Sequence, residues 1–305
     1  MPTLRAAYSE FVVSCQASGL AASTIAHYGW SLEPMLQAFG DELPLDQVDR
    51  PKMRRYVVEL RSRVAPSSVR SYLIALNRFF TWCCDEFGGL SPMTGIKQPR
   101  QRLTPKPADP AAFVAVFVAA GDSRQPERDR AMLAMLADTG MRRSGLVSVR
   151  LADVDRIHRR TWVSEKSGAA RRVYWTHYTQ ALLDCWWSEH PGGDFLFCDV
   201  AGRQLKPNGV YQLLKRLKLR AGVQGRVNPH SFRHAFAREY LLHGGDVVTL
   251  ARLLGHKDVN LTAAYYAIFT EDELGKLQEL RSPLISLLES QNGLKSPELL
   301  WPKRS

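Results

Sequence analysis

The stretch from His230 to Tyr266 reads HSFRHAFAREYLLHGGDVVTLARLLGHKDVNLTAAYY. His230 and Arg233 stand three apart, so on a helix they share a face and both can reach one phosphate. Further on, Leu253-Leu254-Gly255-His256 ends an apolar helix at a glycine and leaves His256 outside it. Thr262-Ala263-Ala264-Tyr265 then sets a tyrosine on the next helix. Each feature also has a plainer reading. His230 and His234 have the i, i+4 spacing of a zinc pair, but Ser231 stands where the HExxH pattern has glutamate, which argues against metal. Val247 to Tyr266 also fits a helix-turn-helix, which implies DNA binding without catalysis. His256 fits a helix cap, and Tyr265 or Tyr266 fits a core aromatic.

Two further segments lie upstream. Asp138-Thr139-Gly140-Met141-Arg142-Arg143-Ser144 is a helix ended by glycine with an arginine just beyond it, either a partner of the helix dipole or a ligand for an anion. Residues 149–175 turn to strand character. Thr161-Trp162-Val163 and Arg172-Val173-Tyr174-Trp175 flank Lys166-Ser167-Gly168, the pattern of a β-hairpin with Lys166 near its tip. Asp109-Pro110 opens a helix as cap and first helical residue, and helices follow at about 110–120 and 126–139.

The first hundred residues are periodic in the helical sense. Helices are expected over Leu4 to Ala17, over Ala22 to Phe39 with Ser23 as cap and Gly40 as stop, over about Pro51 to Arg63, and over Ser67 to Phe87. Arg54, Arg55, Arg61, Arg63, Arg70 and Arg78 lie between the apolar positions, as a solvated face or a DNA-facing one. Pro92, Pro99, Pro105, Pro107 and Pro110, interleaved with Lys97, Arg100, Arg102 and Lys106, form a stiff basic connection. These features divide the chain into a helical domain at 1–92, a linker at 93–108, a second domain at 109–290 and a tail at 291–305. The stripe Leu277, Leu280, Leu284, Ile285, Leu287 and Leu288 fits docking on its own domain or on a neighbouring subunit.

Composition narrows the function classes. The 41 Lys+Arg against 30 Asp+Glu give a net charge of +11, which favours a polyanionic partner such as nucleic acid. The longest apolar run, Ala111 to Ala120, is about half what a membrane span needs. The N-terminus lacks the pattern of a signal peptide. Five cysteines without CxxC spacing suit reduced thiols in the cell interior. There is neither a GxxxxGK[ST] phosphate loop nor a carboxylate cluster for two magnesium ions, which argues against an ATP-driven or metal-dependent nuclease.

Taken in order, T-G-x-R, the hairpin lysine, H-x-x-R-H, L-G-H and T-x-x-Y resemble the catalytic signature of the tyrosine site-specific recombinases, the phage-integrase and Xer family. The resemblance spans essentially the whole chain. It implies a mainly α fold with a small β-sheet (α+β): an N-terminal SAM-like core-binding bundle, carrying SSVRSYLIALNRFFTW, followed by a catalytic domain. It implies that Arg142 and Arg233 clamp the phosphate, that Lys166 is the hairpin lysine, and that His230 and His256 complete the site around the nucleophile Tyr265. Tyr266 would break the T-x-x-Y spacing. It also implies double-stranded DNA as partner, held in a C-shaped clamp, and a homotetramer on two DNA sites, or a heteromer with a paralogue. Strands are exchanged there through a Holliday junction, with no cofactor. A simple two-domain recombinase of the Xer, Cre or transposon-encoded kind is expected, without the arm-binding domain of lambda-type integrases. A cytoplasmic, nucleoid-associated enzyme of integration, excision, resolution or transposition is expected. A type IB topoisomerase-like strand transferase is the alternative. So is a catalytically impaired DNA-binding relative, because Gly145 stands where relatives carry an acid three positions after the first arginine. Asp138 or Asp153 could substitute for that acid.

The residue types suit the chemistry. Attack on a phosphodiester builds negative charge, which two arginines can hold in bidentate geometry. Tyrosine, with a pKa of about 10, needs a base and a positive field, and His230 is the candidate base. Lys166 is the candidate acid for the leaving 5′-oxygen. The 3′-phosphotyrosyl product keeps the energy of the broken bond, so religation needs no ATP.

Overall fold

In the computed structural model, which describes residues 1–99, 105–164, 170–256, 258–265 and 268–281, the first hundred residues form four helices. These are α1 (Leu4–Ala17), α2 (Ala22–Phe39), α3 (Arg50–Arg63) and α4 (Pro66–Phe87). They belong to a unit spanning Met1–Arg102, and Leu103–Ser305 forms a second one. In α4 the apolar residues recur at three- and four-residue steps. Val69, Leu73, Leu76, Phe80 and Cys83 are therefore buried along one face. Phe11 of α1 meets Phe79 edge-on, with ring centroids 5.4 Å apart. The arginines between the stripes stay outside: Arg54, Arg55, Arg61, Arg63 and Arg78 are exposed and Arg70 is half-buried. Ser23 is not the cap of α2. Ala21 holds that position without a side-chain acceptor, and Ser23 lies within the first turn.

Ordered packing reaches into the expected linker from both sides. Met93 and Ile96 pack on the core of the bundle. At the other end the Ala108 amide donates to the Ser231 carbonyl at 3.0 Å.

The second unit runs α5 (Pro110–Ala120), α6 (Pro126–Thr139), α7 (Arg143–Ser148), β1 (Arg160–Ser164), β2 (Ala170–Tyr174), α8 (His177–Ser188), α9 (Pro207–Arg220), α10 (Pro229–Leu242), α11 (Val247–Leu254), α12 (Asn260–Ala263) and α13 (Glu271–Arg281). Asp109 caps α5 as expected, accepting from the Ala111 amide at 2.9 Å. β1 and β2 pair antiparallel from Arg160↔Tyr174 to Ser164↔Ala170, and the alternation buries Val163 and Val173. The intervening turn, with Lys166, lies outside the described residues. Strand character does not extend back to residue 149. A 3-10 turn at Leu151–Asp153 comes first, and Asp155 then closes a tight turn by accepting from the His158 amide and pairing its backbone with Arg160. The helix-turn-helix reading fails as well, because α12 has four residues, too few to present a recognition face.

The larger core of this unit joins α6, α7, the hairpin, α8, α9 and α10 through residues such as Leu136, Leu146, Val163, Trp186, Leu214 and Phe232. A smaller cluster gathers Ala237, Leu241, Leu250, Leu254 and Tyr265. Among the described residues, no helix is long and apolar enough to cross a membrane. Leu277 of the C-terminal stripe is buried and Leu280 is exposed; the later members lie outside the described residues.

Asp138 ties α6 to α8. Its Oδ2 accepts from the Thr176 amide at 2.6 Å, the Thr176 hydroxyl at 2.8 Å and the Thr179 hydroxyl at 2.7 Å, at a helix N-terminus that favours a carboxylate. Asp138→Ala strands these donors and is expected to cost about 1–3 kcal/mol. A lower midpoint for unfolding of the second unit in urea checks this, and an unchanged midpoint refutes it.

Candidate active site

The site begins where α6 stops. Gly140 ends that helix in the left-handed conformation (φ +57°), where an added Cβ would lie 2.6 Å from the Phe236 ring. Glycine suits both demands, and the turn carries the chain to Arg142 at the head of α7. Arg142 is therefore not a partner of the α6 C-terminus through its own helix. It is a half-buried residue on the next one, and burial lowers its pKa.

α10 is set by a capping box that the sequence reading missed. Asn228 Oδ1 accepts from the Ser231 amide, and Ser231 Oγ accepts from the Asn228 amide, both at 2.9 Å. The signal was legible as Asn-Pro-His-Ser, with serine in place of the usual glutamate or glutamine. This start turns Arg233 inward, where it is 4% exposed. Its Nη1 donates to the Gly140 carbonyl at 2.8 Å and its Nη2 to the Leu254 carbonyl at 2.6 Å. Both acceptors lie at helix C-termini, whose dipoles favour a cation. Among the described residues, two of the guanidinium's five N–H groups are used in this way.

Burial and the nearby guanidiniums of Arg142 and Arg171 lower the pKa of Arg233 to about 9, which leaves it charged at neutral pH. Arg171 was not singled out from the sequence. It sits on β2, donates from Nη1 to the Leu253 carbonyl, and is lowered to about 10 by burial and Arg142. In sequence it was one of several arginines beside the hairpin, and only the pairing of β2 with β1 turns it toward α11. Arg142 thus lowers the pKa of both Arg171 and Arg233, which places three guanidiniums in one cluster of positive charge.

The histidines separate into two kinds. His230 is exposed, and neighbouring protein atoms, then Arg143, Arg233 and Arg142, lower its pKa. His256 lies past Gly255, the left-handed end of α11, and its Nδ1 is 2.8 Å from the Thr262 hydroxyl. The threonine of T-x-x-Y thus meets the histidine of L-G-H. Burial, followed by Arg233, Arg142 and Arg171, lowers His256 to about 4.

Tyr265 follows α12 in a turn and is 3% exposed. Burial raises its pKa while Arg233 lowers it. Its hydroxyl is 2.6 Å from Nδ1 of His234. Among the described residues, the histidine on the hydroxyl is therefore His234, and not the expected His230. Tyr266 lies outside the described residues, as does Lys166. Gly145 is buried in α7, and an added Cβ would touch Val163 at an ordinary 3.6 Å. Sterics thus do not exclude a side chain there. Of the expected substitutes, Asp138 has Oδ2 committed to α8, and Asp153 is exposed in the turn before the hairpin.

One buried and two half-buried arginines gathered beside a sequestered tyrosine suit the class of proteins that transfer DNA strands through a covalent tyrosine link. The comparisons agree. The model of the phage integrase family matches residues 112–272, and that of the phage integrase N-terminal SAM-like domain matches residues 11–86. Tyrosine recombinase XerA of Saccharolobus solfataricus is 30% identical over 78% of this chain and 73% of its own. Tyrosine recombinase XerC of Xanthomonas campestris pv. campestris is 29% identical over 72% of this chain and 70% of its own. In fold, the chain is similar to the Tn1549 transposon integrase in complex with transposon right end DNA, with a TM-score of 0.75 at 17% identity over 91% of this chain and 99% of that one. It is also similar to a lambda integrase dimer bound to a core site, with a TM-score of 0.73 at 16% identity over 85% and 97%. The chain belongs to the phage integrase family. It is a tyrosine recombinase, an enzyme of site-specific DNA cleavage and rejoining.

Both half-buried imidazoles, His234 and His256, are lowered to about 4 first by burial, against about 6.5 when exposed. The unfolded chain therefore binds more protons than the folded one as pH falls below 6.5. Stability is fully present above that pH and is lost as it approaches 4. Thermal unfolding at pH 7.5, 6.0 and 5.0 should show the loss, and replacing both histidines by glutamine should reduce it. A wild-type midpoint constant over this range rules out neutral burial.

Proposed function

We propose that Tyr265 is the nucleophile of this recombinase and that Arg142 and Arg233 clamp the non-bridging oxygens of the scissile phosphate. The observation that carries this reading is Arg233. Its charge is held by two helix ends, and it opposes the burial that raises the pKa of Tyr265. His256, locked on Thr262, adds a hydrogen bond to the phosphate. His230, open to solvent beside the arginines, exchanges protons there as the base once DNA is bound. Lys166 protonates the leaving 5′-oxygen; its assignment rests on the sequence pattern alone. The Tyr265 oxygen bonds to phosphorus as the bond to the 5′-oxygen breaks, and the reverse attack reseals the strand.

The exposed arginines of α3 and α4 fit a bundle at 1–92 that grips duplex DNA, followed by a linker at 93–108, a catalytic domain at 109–290 and a tail at 291–305. We take the working form to be a homotetramer on two DNA sites, or a heteromer with a paralogue, in the cytoplasm on the nucleoid. An apolar cavity of about 910 Å³, lined by Phe113, Val114, Phe232, Phe236 and Tyr240, could receive the C-terminal stripe of the same or a neighbouring subunit.

A nicked suicide duplex tests the chemistry. Wild type should trap a covalent complex, Tyr265→Phe should trap none, and Arg142→Ala or Arg233→Ala should slow trapping at least about 100-fold. Trapping by Tyr265→Phe but not by Tyr266→Phe overturns the nucleophile.

A further inference from the structure

His234 belongs to none of the roles assigned above, yet it is the side chain that touches the proposed reacting atom. Its Nδ1 lies 2.6 Å from the Tyr265 hydroxyl, and the two rings are tilted with centroids 5.6 Å apart. The direction of the bond follows from the partners. A phenol is a far stronger hydrogen-bond donor than a neutral imidazole N–H, and an imidazole nitrogen is the better acceptor. The hydroxyl therefore donates to Nδ1, and the proton of His234 sits on Nε2.

The surroundings make this contact rigid. His234 follows Arg233 in α10, and Arg233 is pinned at both ends by the Gly140 and Leu254 carbonyls. The ring of Tyr265 packs among Ala237, Leu241, Leu250 and Leu254. That apolar packing holds the ring but gives no direction to its O–H. Among the described residues, His234 supplies the hydrogen bond that does. Its low basicity, set first by burial and then by His230 and Arg233, suits an acceptor that stays neutral at working pH and argues against a proton sink.

We infer that His234 is a positioning residue of the recombinase, one that fixes the Tyr265 hydroxyl beside Arg233 ahead of attack. The inference rests on Tyr265 being the nucleophile. Attack on phosphorus tolerates little misplacement of the oxygen, and an error of about 1 Å costs on the order of 100-fold in rate. His230 and the DNA then receive a hydroxyl that is already aimed.

The full-length protein is tested in four forms: wild type, His234→Ala, His234→Asn and Tyr265→Phe. Asparagine sets an amide oxygen near the position of Nδ1 and restores an acceptor without an imidazole. Single-turnover cleavage of a nicked suicide duplex, affinity for an uncut duplex and thermal stability are measured for each, and the 13Cζ resonance of labelled Tyr265 for the three forms that keep it. His234→Ala should cleave about 10- to 100-fold more slowly with DNA affinity within about twofold, and its Tyr265 resonance should shift. His234→Asn should recover most of the rate and most of the shift. The inference fails if His234→Ala cleaves at the wild-type rate. It also fails if both His234 variants lose rate, DNA affinity and thermal stability together, which marks a structural residue. Trapping by Tyr265→Phe refutes the nucleophile itself, and the role of His234 falls with it.

Discussion

The site depends on one buried cation. Arg233 is almost sealed from solvent, and an unpaired guanidinium there would cost several kcal/mol. Its compensation is geometric. The last carbonyls of α6 and α11 converge on it, so that two helix dipoles end at one charge. Gly140 allows this because its left-handed turn aims a carbonyl inward while Phe236 fills the space a side chain would take. Removing the cation would leave two helix ends facing each other with their acceptors unsatisfied. Scaffold and site therefore share this interaction.

From that anchor the other groups acquire their character. Arg142 and Arg171 stand close enough to Arg233 to add to the lowering of its pKa by burial, and burial together with the same field keeps His256 neutral. The tyrosine lies at the edge of the cluster, influenced by Arg233 but packed in apolar surroundings that keep its phenol protonated.

Local sequence rules served well where the determinant was local. The apolar period of α4, the Asp109-Pro110 start of α5 and the glycine stops at Gly40, Gly140 and Gly255 all stand where they were expected. The same rules failed where a neighbour in space decided. Ser23 looked like a cap but lies inside its helix, and the segment before β1 looked like strand but is folded back by Asp155. Val247 to Tyr266 had the spacing of a helix-turn-helix, yet its second helix spans a single turn, because the chain must bring Thr262 to His256 and Tyr265 into the apolar cluster.

The sequence by itself determined the family and pointed to Arg142, Arg233, His230, His256 and Tyr265 as candidates, because their types and order form a pattern that spacing alone can display. Tertiary structure decided which of them meet. No spacing rule announces that Arg171 turns from β2 toward α11, or that His234 lies against the Tyr265 hydroxyl. Those contacts join residues 82 and 31 positions apart, and they exist because packing around Arg233 brings the ends of separate helices to one point.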